Sequence, residues 1–353
     1  MTHLWVRAER RENEERVGIT PDGVTELVAA GMRVTVEESA TRILPDAGYA
    51  ETGCEMAPEN SWPDAPRDAI VFGLKELPDD GTPLPHRHIM FGHAYKGQYA
   101  GQALLKRFKA GGGTLLDIEY LVDPDGRRVA AFGYWAGYAG AAVSLKAWAA
   151  QTSGATCPPV STWRDKDALL AELAEDMAGR RPSAIVIGAL GRVGNGAADL
   201  CEAMGITPTR WDMAETQSGG PFPEILEHDL FFNCILARPG TPQFVPRSAV
   251  GVARKLSVVG DIACDPDSDY NPIPIYDAAT TWSDPVTRVS TDPVLDVMAI
   301  DNLPSLLPKE SSLDFAAQLL PSLKALDKLN EGVWGRARAT FEATPGLTLI
   351  EDT

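Results

Sequence analysis

The stretch Ile185-Val-Ile-Gly-Ala-Leu-Gly-Arg-Val-Gly-Asn-Gly196 constrains this chain more than any other. An apolar run of strand type feeds a glycine-rich turn, and the turn opens a helix predicted over 197–204. Arg210-Trp-Asp212 then reads as a second strand closed by a carboxylate. Strand, glycine turn, helix, strand and acid, with the acid about 20 residues on, make the dinucleotide-binding βαβ pattern. Each part has a physical task. Glycines permit a tight turn and let the backbone approach a pyrophosphate. The N–H groups at a helix start favour phosphate, and the acid accepts hydrogen bonds from ribose hydroxyls. The glycines fall at 188, 191, 194 and 196, off the strict G-x-G-x-x-G register. The same residues also suit a tight turn whose glycines serve packing alone.

At 353 residues the chain is long enough for two cores. Its 32 basic and 49 acidic residues give a net charge of −17. Nucleic acid and anionic membrane surfaces are therefore poor partners, since both require a basic face. No apolar run reaches membrane-spanning length, and Met1-Thr-His-Leu-Trp5 has no signal-peptide pattern. The cysteines at 54, 157, 201, 234 and 264 are odd in number and lack C-x-x-C spacing. A reducing cytoplasm without a zinc site is the expectation.

The predicted fold class is α/β, with parallel sheets in two Rossmann-like domains. Residues 4–7, 33–37, 69–74, 88–91 and 114–118 read as strands, and Thr20-Pro21 opens a helix that ends near Gly31. An alanine-rich helix over 141–151 leads into the second domain, with strands near 183–187, 209–211, 230–235 and 256–262. Residues 311–329 read as a helix interrupted by Pro321 and crossing back to the first domain. The expected division is 1–132 plus 309–353 for a discontinuous substrate domain and 133–308 for an NAD-binding domain.

Gly73-Leu-Lys-Glu-Leu-Pro78 and Phe91-Gly-His-Ala-Tyr-Lys96 place polar groups just past apolar strands, where ligands sit in open α/β sheets. Lys75 and His93 thus form a candidate proton-transfer pair, with Glu76 and Glu119 as carboxylates that tune them. Taken singly, each also reads as a surface lysine or a loop histidine. His86 and His88 share a strand face, but nothing supplies a third ligand at metal spacing, so they read as structural or surface residues. Arg7, Arg127 and Arg128 lie near strand ends or glycine turns and offer planar forks for carboxylates. Asp301 follows the apolar run 297–300.

Leu4-Trp-Val-Arg-Ala-Glu9, Gly73-Leu-Lys-Glu76, Phe91-Gly-His-Ala-Tyr-Lys96, Gly126-Arg-Arg-Val-Ala-Ala-Phe-Gly133, Gly188-Ala-Leu-Gly-Arg192, Gly219-Gly-Pro-Phe222 and Asp301-Asn-Leu-Pro-Ser-Leu-Leu-Pro308 follow one another in this order along the chain. Together they resemble the NAD-dependent, L-lysine-forming saccharopine dehydrogenases, within the alanine dehydrogenase superfamily. The resemblance implies a cleft between two Rossmann-like domains and oxidative cleavage of saccharopine to L-lysine and 2-oxoglutarate. It implies Lys75 and His93 as the acid–base pair. Arg7, Lys96, Gln98, Phe132 and one of the Arg127–Arg128 pair, taken as Arg128, fall at the substrate. Arg127, Gly188, Gly191, Arg192, Gly194, Asp212 and Thr216 fall at the cofactor. Asp301 lies near the reacting centre and serves both. Val193 stands where a cysteine occurs in the family, so no disulfide to Cys234 is expected.

The expected cofactor is NAD, with no metal. Arg210, close to Asp212, is a complication because arginine can accept a 2′-phosphate. The expected partners are small molecules, with the chain a monomer or small homo-oligomer. Two rival readings stand beside this one: an alanine or opine-type dehydrogenase on the same scaffold, and an NAD-binding sensor without catalysis.

Overall fold

The computed structural model describes residues 1–95 and 99–344. The chain forms two compact units, Met1–Ala131 with the chain from Ser311 onward, and Phe132–Glu310.

In the first unit six strands form one sheet: β1 (His3–Val6), β2 (Arg33–Glu37), β3 (Glu55–Ala57), β4 (Ile70–Phe72), β5 (Arg87–Met90) and β6 (Thr114–Asp117). Their order is β3-β2-β1-β4-β5-β6 and every pair is parallel. Strands covered on both faces must be apolar throughout, and Ile70, Val71 and Phe72 are all buried. The helix Pro21–Ala29 begins where the Thr20 hydroxyl accepts the Gly23 N–H at 3.1 Å, with proline at its first position. β3 escaped the sequence reading because three residues carry no usable periodicity. Two later helices, Pro308–Leu323 and Gly332–Glu342, complete the core with Phe315, Trp334 and Phe341. Pro321 does not interrupt the first of these. It sits in the last turn, where little helix remains to be broken.

The second unit holds β7 (Ala184–Ile187), β8 (Thr209–Trp211), β9 (Leu230–Asn233), β10 (Val258–Asp261), β11 (Thr287–Thr291) and β12 (Val294–Met298), in the order β11-β12-β10-β9-β7-β8. All pairs are parallel except the edge pair β11–β12, so the expectation of a wholly parallel sheet gives way at that edge. Ala184 and Val186 enter one core, while Ile185 and Ile187 enter the core on the opposite face. Each such buried branched side chain contributes about 1.5–3 kcal/mol.

Two helices begin earlier than their sequences suggested, for one physical reason. The alanine-rich helix runs Gly133–Gln151 and the helix after the glycine turn runs Arg192–Ala203. Their early residues are glycines because the backbones touch. A Cβ on Gly137 would lie 1.8 Å from the Val193 carbonyl oxygen, and one on Gly196 would lie 1.9 Å from the Tyr134 oxygen. What resembled loop composition is a close helix–helix crossing.

Candidate active site

Lys75 follows β4, and its turn is held by two residues, Glu9 and Arg7. The Glu9 carboxylate accepts the Leu74 N–H at 2.6 Å and the Lys75 N–H at 3.0 Å. The Arg7 guanidinium donates to the Lys75 carbonyl and to the Ala8 carbonyl, and pairs with Glu9 at 3.4 Å. A Cβ on Gly73 would strike that guanidinium at 2.3 Å, so only glycine leaves the arginine its place. Arg7 is 4% exposed. Its Nη1 and Nη2 are turned to the Lys75 turn and Glu9, while its Nε has no hydrogen-bond partner among the described residues.

A second pair, absent from the sequence reading, faces the same lysine. Arg16 chelates Glu14 through Nε at 2.8 Å and Nη2 at 2.6 Å, with both side chains buried. Burial pushes the Lys75 ammonium below its ordinary value, and the Arg16 charge pushes it the same way, while Glu14 opposes both. Burial alone would raise Glu14, but Arg16 overrides this and holds it low. Glu76 comes last among the influences on Lys75. It is exposed and pairs with Arg11 at 3.3 Å. The main tuners are therefore Arg16 and Glu14. They lie in the charged run 11–16, which has the composition of a solvated loop, and only the tertiary fold buries them.

His93 follows β5, the neighbour of β4. Its backbone lies in the left-handed region at φ 46°, a conformation uncommon outside glycine and concentrated at functional sites. Nδ1 lies 3.4 Å from Oε2 of Glu119, which follows β6. That hydrogen bond raises the imidazole pKa, against burial and against the Lys75 charge, which lower it. Asp117, at the end of β6, is fully buried, accepts the Glu119 N–H at 3.0 Å, and has its own pKa raised by burial. Three adjacent strand ends thus place Lys75, His93 and Glu119 on one edge of the sheet.

The other expected residues of this unit are more dispersed. Lys96 and Gln98 lie outside the described residues. Arg127 and Arg128 are exposed on a turn that Asp123 organises by accepting the Asp125 and Arg127 N–H groups at 2.9 Å each. His86 and His88 are not surface residues. Both are 1% exposed, with His88 wedged between Trp62 and Phe108. Among the described residues no cluster of three His, Cys, Asp or Glu is placed to hold a metal ion.

In the second unit the glycine turn separates into two kinds of position. Gly188 adopts φ +88°, which the turn requires. A Cβ on Gly194 would lie 2.1 Å from the Gly188 oxygen, so this glycine lets the helix close onto the strand. Gly194 and Gly196 both lie against backbone. Gly191 differs. It is exposed, forms the N-cap of the helix Arg192–Ala203, and has no atom nearer than 3.4 Å to where its Cβ would be. Among the described residues no side chain caps this helix start. An open glycine at an uncapped helix N-terminus fits a pyrophosphate.

Asp212, at the end of β8, is tied to that turn. Its Oδ2 accepts the Leu190 N–H at 3.0 Å, and its Oδ1 accepts the Met213 N–H at 2.9 Å. Thr216 donates its hydroxyl to the Asp212 carbonyl at 3.0 Å, so its contact supports the acid's loop. Arg210 binds Glu202 at 2.8 Å. Arg192 is exposed as the first residue of the helix, Phe132 is the N-cap of Gly133–Gln151, and Asp301 is exposed beyond β12.

Residues 5–139 match the family model of the alanine dehydrogenase/PNT N-terminal domain. Saccharopine dehydrogenase [NAD(+), L-lysine-forming] of Neurospora crassa is 45% identical over 356 residues, covering 97% of this chain and 96% of that protein. The protein of the same name from Schizosaccharomyces pombe is 45% identical over 358 residues, covering 96% and 97%. Among solved structures, an L-alanine dehydrogenase superposes with a TM-score of 0.68 at 18% identity, covering 97% of this chain and 94% of that one, a likeness of fold.

Proposed function

We propose a residue-level mechanism from one premise: the chain belongs to the NAD-dependent, L-lysine-forming saccharopine dehydrogenase family. The reaction consumes saccharopine, NAD⁺ and water and yields L-lysine, 2-oxoglutarate, NADH and a proton. NAD supplies the hydride acceptor, and the protein supplies position and proton transfer.

Lys75 takes the proton from the secondary ammonium of saccharopine, because a protonated nitrogen has no lone pair to drive hydride loss. Hydride departure from the adjoining carbon leaves an imine. His93 assists attack of water on that carbon by removing a proton. Protonation of the nitrogen and loss of the new hydroxyl's proton then break the C–N bond, its electron pair leaving with nitrogen as the C=O forms, and release lysine and 2-oxoglutarate. The observation that carries this reading is the placement of Lys75, His93 and Glu119 at three adjacent strand ends, with His93 3.4 Å from Glu119 and with Lys75 and His93 oppositely tuned. Burial and Arg16 draw Lys75 down, while Glu119 draws His93 up, so both move toward the pH range in which proton exchange is efficient. Gly191 and Arg192 hold the pyrophosphate in this proposal. Asp212 bonds the adenosine ribose, and its charge disfavours a 2′-phosphate. Lys96, Gln98, Arg128, Phe132 and Asp301 remain the proposed contacts for substrate, and Arg127 for the cofactor.

NADH absorbance during incubation with saccharopine tests the proposal, run beside L-alanine and a small amino-acid panel. Lys75→Met and His93→Gln should each lose roughly 10²–10⁴-fold in turnover while keeping native circular dichroism. A wild type that prefers alanine, or a variant with normal turnover across pH, overturns it. Among the described residues no helix is long and apolar enough to cross a membrane. A cytoplasmic setting and a monomer or small homo-oligomer belong to the same proposal.

A further inference from the structure

The carboxyl edge of the second sheet carries a buried polar network that the mechanism leaves unused. Asn233 ends β9 and Asp261 ends β10, and the two are register partners, as are Asn233 and Ile187 at the end of β7. Asn233 Nδ2 donates to Asp261 Oδ1 at 2.9 Å, and the Tyr276 hydroxyl donates to Asp261 Oδ2 at 2.6 Å. The Cys264 N–H reaches Oδ1 at 3.3 Å. Asn233 and Asp261 are each 1% exposed, and among the described residues Asn233 Oδ1 has no hydrogen-bond partner. Isolated carboxylates are costly to bury, so three donors converging on one acid indicate a site where placement matters.

What the network places is the loop that follows β9. The Cys234 N–H bonds the Ile187 carbonyl at 2.9 Å, and the Ile262 N–H bonds the Asn233 carbonyl at 3.1 Å. A Cβ on Gly188 would lie 2.7 Å from Ile235 Cγ2 and 2.9 Å from the Cys234 oxygen. Residues 234–235 therefore rest directly against the first glycine of the turn. β8 lies on one side of β7 and β9 on the other, so the strand order reverses at β7, the place where open α/β sheets take their ligand.

We propose that Asp261, with Asn233 and Tyr276, is a positioning residue for NAD: it holds the 234–235 loop at the distance from the Gly188 turn that admits the dinucleotide. This rests on the reading that the Gly188–Arg192 turn binds the cofactor. Small misplacements at such a wall alter affinity, whereas Lys75 and His93 on the first sheet are left in place.

The test is NADH titration by nicotinamide fluorescence on the full chain, with initial rates against saccharopine. Asp261→Ala should weaken NADH binding about tenfold or more, with the saccharopine KM within about twofold. Tyr276→Phe, which removes one hydroxyl and keeps the ring, should weaken it by a smaller factor. Asp261→Asn should restore most of the affinity, because its amide oxygen accepts from Tyr276 and its amide nitrogen can donate to Asn233 Oδ1. NADH affinity unchanged in Asp261→Ala, or an Asn variant as weak as the Ala variant, overturns the proposal. If Asp261→Ala does not fold, Tyr276→Phe decides: a raised NADH Kd with unchanged saccharopine KM supports the network, and an unchanged Kd overturns it. Asp212→Ala separates the two levels. Unchanged NADH affinity there sinks the cofactor placement itself, whereas a loss there without a loss in Asp261→Ala sinks only the network.

Discussion

Glu119 Oε2 lies 3.4 Å from His93 Nδ1, across the ends of two adjacent strands. The contact orients a half-exposed imidazole whose backbone is already left-handed, and it favours the protonated ring. A histidine held this way stores a proton at a pH where a free one would have released it.

Glu119→Gln should therefore lower the His93 pKa, because the largest influence raising it is removed. Proton NMR of the imidazole, assigned by comparison with His93→Gln, reads this directly. An unchanged titration would show that the carboxylate does not set the value.

In the proposed mechanism Lys75 accepts a proton in the oxidative direction, so the rate should rise with pH through its lowered pKa. Arg16→Gln removes a cation that depresses that value, and the acidic limb should move to higher pH. Glu14→Gln removes an anion that raises it, and the limb should move to lower pH. Opposite displacements in pH–rate profiles distinguish electrostatic tuning from general damage to a buried pair.

Arg7→Ala should lower kcat more than it raises the saccharopine KM, since Arg7 supports the Lys75 turn. It also leaves the Lys75 and Ala8 carbonyls without their guanidinium donor, a loss visible as a lower Tm, while Glu9 keeps the Leu74 and Lys75 N–H groups. A raised KM with intact kcat and Tm would instead mean that the guanidinium meets substrate.

The glycine turn offers a paired comparison. Gly196→Ala must push against the Tyr134 carbonyl and should destabilise by about 1–3 kcal/mol, with NADH affinity kept by the folded protein. Gly191→Ala meets open space and an ordinary backbone, so Tm should hold while NADH binding weakens. Calorimetry and fluorescence titration on both variants check the pair; reversed results would exchange the roles assigned to the two glycines.

Buried His88 has its pKa pushed well below the ordinary 6.5, first by burial and then by the Arg7, His86 and Arg107 charges. The folded state thus resists a proton that the unfolded chain accepts. Its stabilising contribution is complete above about pH 6.5 and declines as pH falls from there toward the folded-state value. Wild-type Tm should drop faster than that of His88→Leu between about pH 7 and 5. Parallel curves for the two proteins would remove His88 from the acid response.

The order of apolar runs and glycine punctuation in the sequence determined the two α/β units, the glycine turn with Asp212, and the strand-end positions of Lys75, His93 and Glu119. Such features are local, since a short apolar strand and its terminal polar residue are neighbours along the chain. Three decisions needed the tertiary structure. It buried Arg16 and Glu14 beside Lys75, although their charged run carries no periodic signal. It turned Arg7 inward, because Gly73 leaves room for a guanidinium over the β4 turn. It divided the glycines, giving 194 and 196 to backbone contacts and leaving 191 open. Each depends on which atoms arrive from distant parts of the chain. Residue type and spacing state what a side chain can do, and packing decides which of its partners is within reach.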